Sequence, residues 1–254
     1  MISFFYELNP ILQSLIAGII TFSLTAMGSA LIFMCKSINK SFMDKLLSIS
    51  AGIMLASSFF SLINPSIDKA NEIMISPGII CSLGIVLGCI VLFLCDKLQM
   101  RCGKKNKTNN LILSMTIHNI PEGMAVGIAF GSACNGDALM SAMSLAIGIG
   151  LQNFPEGSAI SFPLYRDGYS KCKSFFIGAL SAIVEPIGAV LGALIVMKYP
   201  IIMPILLAFA AGAMLYVIIV ELIPEAMSNE KKEHMALYFV LGFIIMMFLD
   251  ITLG

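Results

Sequence analysis

Eight long apolar runs follow one another along this chain, with only short links between them. They cover about 11–34, 44–64, 78–98, 111–133, 138–163, 171–197, 200–224 and 235–253. A helix needs roughly 20 apolar residues to cross the hydrocarbon core. Backbone in lipid must satisfy its own hydrogen bonds, so such runs are expected as helices. The expected fold is an all-α polytopic membrane protein of eight transmembrane helices, with residues 1–254 forming one transporter-sized domain. Composition agrees: 58% of residues are hydrophobic and 12% charged, about half the charge of a soluble domain.

The stretch Met1 to Pro10 has no basic region and includes Glu7, so it does not read as a cleaved signal. Net charge is formally zero, which gives a nucleic-acid role no support. The seven cysteines (35, 81, 89, 95, 102, 134 and 172) are odd in number and irregular in spacing, with no C-x-x-C pair. Neither a disulfide framework nor a zinc ribbon is expected. They read as small buried hydrophobes.

Basic residues set the orientation. The links after runs 1, 3, 5 and 7 hold Lys36, Lys40, Lys45, Lys97, Arg101, Lys104, Lys105, Lys107, Arg166, Lys171, Lys173, Lys231 and Lys232. That is thirteen of the fifteen; only Lys69 and Lys198 lie on the other side. Those links are expected in the cytoplasm of a cell (inner) membrane protein, with both termini outside.

Two polar words interrupt the apolar pattern. Run 4 contains His118-Asn119-Ile120-Pro121-Glu122-Gly123, and run 5 contains Gln152-Asn153-Phe154-Pro155-Glu156-Gly157. Runs 2 and 7 share a second pattern: Ala51-Gly52-Ile53-Met54-Leu55 leads to Pro65, and Ala211-Gly212-Ala213-Met214-Leu215 leads to Pro224. The charge assignment makes each matched pair antiparallel. Opposed repeats characterise transporters whose sites lie near the midplane.

Glu122, Glu156, Glu185 and Glu221 sit well inside runs, and Asp250 near the outer end of run 8. A charge at the bilayer centre costs at least ~2.5–3.5 kcal/mol. No lysine or arginine lies deep in a run to pair with these carboxylates. The missing partner is a bound cation or a proton. Glu185 lies twelve residues from Lys173 and thirteen from Lys198, roughly 20 Å from each end at 1.5 Å per residue. His118 and Glu122 are i, i+4 on one helix face, and Asn119 and Glu122 are i, i+3. Gln152, Asn153 and Glu156 repeat this spacing in run 5. Pro121, Pro155 and Pro186 cannot donate to the carbonyls of Ile117, Leu151 and Ala182. Kinks in helices 4, 5 and 6 are therefore expected around a midplane site. Gly123 and Gly157 leave room for close helix approach.

One imidazole with carboxylates and amide oxygens suits zinc, iron(II), manganese or cadmium. The eighteen methionines are spread over the apolar faces and read as packing. His234, beside Lys231, Lys232 and Glu233, reads as solvated. Glu221 with Glu225 at the inner end of run 7, and Asn64, Asp68 and Glu72 at the outer end of run 2, are candidate exit and entrance relays. Two other readings stay open. One is a proton-coupled carrier of an organic solute. The other is an intramembrane zinc enzyme, although such hydrolases use two or more histidines, as in H-E-x-x-H.

The two Pro-Glu-Gly words, with Glu185-Pro186-Ile187-Gly188 in run 6, resemble the ZIP (Zrt/Irt-like) divalent-metal transporters, in particular the bacterial GufA-like and ZupT-like branches. The resemblance covers the whole chain. It implies a non-enzymatic transporter that moves zinc, iron, manganese or cadmium toward the cytoplasm, one helix bundle moving against the other. The metal is cargo and no cofactor is implied. The resemblance places one ion between His118, Glu122 and Glu156, helped by Gln152. It places a second ion beside it, on Asn119, Asn153 and Glu185. Some relatives have Asp where this chain has Asn153, so a single well-held ion is expected. The loop between runs 3 and 4 has Cys102 and lysines but no histidine, unlike the histidine-rich loop of many relatives. Expected partners are divalent metal ions and the lipid bilayer, with a homodimer as one form of assembly.

Overall fold

The computed structural model describes residues 5, 7–34, 39–102, 107–133, 136–227 and 232–253. Lys36, Lys104, Lys105, Lys231, Cys35, Cys134 and part of the opening Met1–Pro10 stretch lie outside the described residues. Cys81, Cys89, Cys95 and Cys172 are free thiols, and His234 is exposed.

The described residues form eight helical stretches in chain order. They are α1 (Pro10–Met34), α2 (Lys40–Glu72), α3 (Pro77–Cys102), α4 (Lys107–Ser132), α5 (Gly136–Arg166), α6 (Lys171–Lys198), α7 (Pro200–Ala226) and α8 (Lys232–Leu253). Six of them, α1, α2, α3, α6, α7 and α8, are long and apolar enough to cross a membrane. The chain is thus an all-helical, multi-pass membrane protein. The other two, α4 and α5, carry the polar words, which dilute their apolar character. They have 26 and 31 residues, about 39 and about 46 Å at 1.5 Å per residue.

Three helices are interrupted, each beside a proline. In α2 the backbone widens into a π turn at Ser58–Ile63, just before Pro65. In α7 it widens at Ile218–Leu222, just before Pro224. Proline offers no N–H to the carbonyl four residues back and its ring crowds that carbonyl; an extra residue in the turn relieves both. Each π turn begins six residues after the glycine of the shared Gly-x-Met pattern, at Gly52 and Gly212. The third interruption is in α6, where Lys171–Leu180 and Val184–Lys198 are separated by a turn at residues 181–183, ahead of Pro186. By contrast, α4 and α5 continue as helix through Pro121 and Pro155.

Helices pack extensively as α1 on α5, α4 on α6, α3 on α7 and α2 on α8. Exchanging α1, α2 and α3 with α6, α7 and α8, and α4 with α5, carries the first pair onto the second and the third onto the fourth. Further contacts join α1 to α4 and α6, making a four-helix set of α1, α4, α5 and α6. The remaining helices α2, α3, α7 and α8 form the other set.

Small residues make these close pairings possible. A Cβ added at Gly127 would lie 1.9 Å from the Ala189 carbonyl oxygen of α6. One added at Gly88 would lie 2.1 Å from the Phe209 carbonyl of α7. In lipid no hydrophobic effect drives helices together, so van der Waals contact at small residues does. Larger residues such as Leu145, Met214, Leu207 and Phe130 fill the buried core between the sets.

Candidate metal site

All seven polar residues singled out in α4, α5 and α6 are buried: His118, Asn119, Glu122, Gln152, Asn153, Glu156 and Glu185. Each word ends in a glycine that lets a neighbouring helix come in beside its glutamate. A Cβ at Gly123 would lie 2.4 Å from the Glu185 carbonyl oxygen, and one at Gly157 would lie 2.0 Å from that of Thr25. The glycines therefore bring α6 against the first word and α1 against the second.

Hydrogen bonds join the pieces across helices. Gln152 donates its Nε2 to Glu122 Oε1 at 2.8 Å. Asn153 donates its Nδ2 to Glu185 Oε2 at 2.8 Å. Asn119 donates its Nδ2 to the Ser181 carbonyl in the α6 turn at 3.1 Å. Here the structure corrects the expectation for Pro186. The carbonyl of Ala182 is not left open: it accepts from the Glu185 N–H at 3.0 Å. That tighter bond turns the Glu185 N–H away from Ser181, and Asn119 takes the Ser181 carbonyl instead. From α2, Ser50 donates to the Gln152 carbonyl at 2.9 Å and also stands against the Glu156 carboxylate.

What these bonds leave over defines the chemistry. His118 Nε2, Asn119 Oδ1, Glu122 Oε2, Gln152 Oε1, Asn153 Oδ1 and Glu156 Oε1 are buried without a hydrogen-bond partner among the described residues. The amide nitrogens face protein acceptors, and the amide oxygens are left free. Each unmatched buried polar group costs about 1–3 kcal/mol. Six such atoms, all lone-pair donors, suit a cation of the borderline class.

A second group extends from His118. Its Nδ1 lies 3.1 Å from Glu221 Oε2 of α7. Asp96 of α3, His118 and Glu221 offer ligand atoms that lie within 4.8 Å of one another. Tyr216 donates to Asp96 Oδ2 at 2.8 Å, and Ser114 donates to Glu221 Oε1. The sequence marked Glu221 as a relay candidate but did not single out Asp96. Its side chain is half-buried, and its meeting with His118 needs three helices placed side by side. Toward the other end, Ser61 donates to Asp250 at 2.8 Å and Ser144 donates to it at 3.1 Å. Asn64, Asp68, Ser141 and Asp250 line a cavity of about 240 Å³ there.

The profile of the ZIP Zinc transporter family matches residues 102–250. The chain belongs to the ZIP family. Among its ZIP relatives is "Zinc transporter ZIP11" of Xenopus tropicalis, 32% identical over 97% of this chain and 98% of that one. "Zinc transporter ZIPB" of Bordetella bronchiseptica is 32% identical over 95% of this chain and 81% of its own. "Zinc transporter GufA" of Myxococcus xanthus is 36% identical over 59% and 58%. The ZIP assignment rests on the same stretch of chain that holds both polar words and Glu185.

Proposed function

We propose that this chain transports divalent transition-metal ions across the cell (inner) membrane toward the cytoplasm. Zinc is the leading cargo, and iron(II), manganese and cadmium are accepted by the same donor set. Relatives over nearly the full length are named zinc transporters. The observation that carries the reading is the six buried lone-pair atoms without hydrogen-bond partners on the adjacent helices α4 and α5. His118, Glu122, Gln152 and Glu156 hold the ion, Asn119 and Asn153 flank it, and Glu185 stands behind Asn153.

The domain spans the bilayer eight times, with α4 and α5 as the polar pair in the middle, kinked at their prolines, and both termini outside. The matching helix pairs and the two π turns at equal distance from Gly52 and Gly212 support an inverted repeat. All seven site residues ride on the set α1, α4, α5 and α6, whereas Asp96 and Glu221 belong to the other set. Motion of the first set against the second would carry the ion from the Asp250 mouth to the Asp96–Glu221 side. His118, which touches both groups, passes it on.

The test is uptake by vesicles reconstituted with Glu156→Ala, with metal-free thermal unfolding as the check on folding. Loss of zinc uptake by a protein that unfolds at the wild-type temperature is the expected result. Normal uptake would sink the reading.

A further inference from the structure

Glu185 differs from the other six buried polar residues of the site. Both of its oxygens already have partners: Oε2 accepts from Asn153 Nδ2 at 2.8 Å, and Oε1 accepts from Thr25 Oγ1 of α1 at 3.4 Å. Thr21 of α1 also stands against this carboxylate. Its backbone is wedged on Gly123, since a Cβ there would lie 2.7 Å from the Glu185 Cα. The side chain is fully buried. It is held from α1, α4 and α5 together.

The bond to Asn153 has a directional consequence. A primary amide carries its oxygen and nitrogen in one plane, diverging from the same carbon. With Nδ2 fixed on Glu185, Oδ1 must face away from it. That oxygen is buried and has no hydrogen-bond partner. Were Asn153 an aspartate, no N–H would be available to Glu185, and two carboxylates would face each other across the same gap. Such a gap invites a cation. With the amide in place the gap is already closed by a hydrogen bond.

We propose that Glu185 is a positioning residue and not a metal ligand: it orients the Asn153 amide so that Oδ1 faces a single ion, and the chain holds one ion in place of two. The inference rests on the metal-transport reading above. Ligand-orienting partners of this kind typically account for about 10–100-fold in metal affinity. Thr25 and Thr21 in turn fix Glu185 from α1, a helix that contributes none of the seven site residues.

The test is calorimetric titration of the purified, detergent-solubilised chain with zinc and with cadmium. Wild type is expected to bind one ion at the site. Glu185→Gln keeps an acceptor for Asn153 and is expected to retain one ion at near-wild-type affinity. Glu185→Ala loses that acceptor and is expected to bind one ion about tenfold or more weakly. Asn153→Asp is expected to bind two ions. Two ions in the wild type, or equal losses in the Gln and Ala variants, would overturn the proposal, because the carboxylate would then act on an ion directly. No metal binding by wild type would instead overturn the transport reading itself, and the inference with it.

Discussion

Gln152 Nε2 lies 2.8 Å from Glu122 Oε1, a hydrogen bond that ties the head of one polar word to the glutamate of the other. The bond spends the amide nitrogen and leaves Gln152 Oε1 and Glu122 Oε2 without partners. Gln152→Ala removes one free oxygen and loosens the other. Metal affinity is expected to fall about tenfold, or about 1.4 kcal/mol, in zinc titrations of the purified protein. Unchanged affinity would mean that the amide faces no ion.

Glu221→Gln tests the cluster beyond the central site. Glu221 meets His118 at 3.1 Å and belongs to α7, outside the helix set that holds the seven site residues. The variant should bind zinc with an affinity within about threefold of wild type, a shift of roughly 0.6 kcal/mol. Its turnover in vesicles should drop by about tenfold or more, as for lost ligand-orienting contacts. A fall in affinity with turnover intact would place Glu221 in the central site instead.

At the other end, Asp250→Asn removes one charge from the mouth lined by Asn64, Asp68 and Ser141. A lined negative mouth concentrates cations, an effect of about tenfold or more on capture. The expected outcome is a raised KM for zinc uptake with kcat preserved, and a weaker dependence of uptake on ionic strength than in wild type.

The glycine contacts give a stability prediction. Gly127→Ala places a methyl 1.9 Å from the Ala189 carbonyl, where backbone blocks it. Thermal unfolding in detergent should show a loss of about 1–3 kcal/mol, the usual cost of overpacking. Gly78→Ala, where nothing lies within 4 Å, is the control and should unfold like wild type.

A last prediction concerns the break in α6. Asn119→Ala strips the Ser181 carbonyl of its donor, leaving a buried acceptor unmatched at a cost of about 1–3 kcal/mol. Faster amide exchange at residues 181–185 than in wild type, measured by mass spectrometry, would confirm that Asn119 fastens the turn. Unchanged exchange would mean that the turn stands on its own backbone bonds.

That the polar residues of runs 4, 5 and 6 lie buried was legible from the chain because depth and helical spacing are local properties. Glu122 and Glu156 fall in the middle of long apolar runs. Their companions one turn away share a helix face whatever the tertiary fold is. The chain placed helix disturbance at Pro121, Pro155 and Pro186, whereas the π turns are found just before Pro65 and Pro224. The Pro186 expectation named the wrong carbonyl. A missing N–H says that the helix must yield but not how, and here a neighbouring asparagine on α4 chose the solution.

The chain by itself determined that apolar helices must bury an acidic, amide-rich layer, because hydrocarbon accepts those groups only when they are matched. Which atoms stay unmatched was decided by tertiary structure. Asp96 and Glu221 lie on α3 and α7, and only packing brings them to His118. Asn153 and Glu185 are 32 residues apart, and their bond settles which end of the amide faces the site. Hydrogen bonding between helices depends on distance and direction in space, which a one-dimensional pattern does not carry.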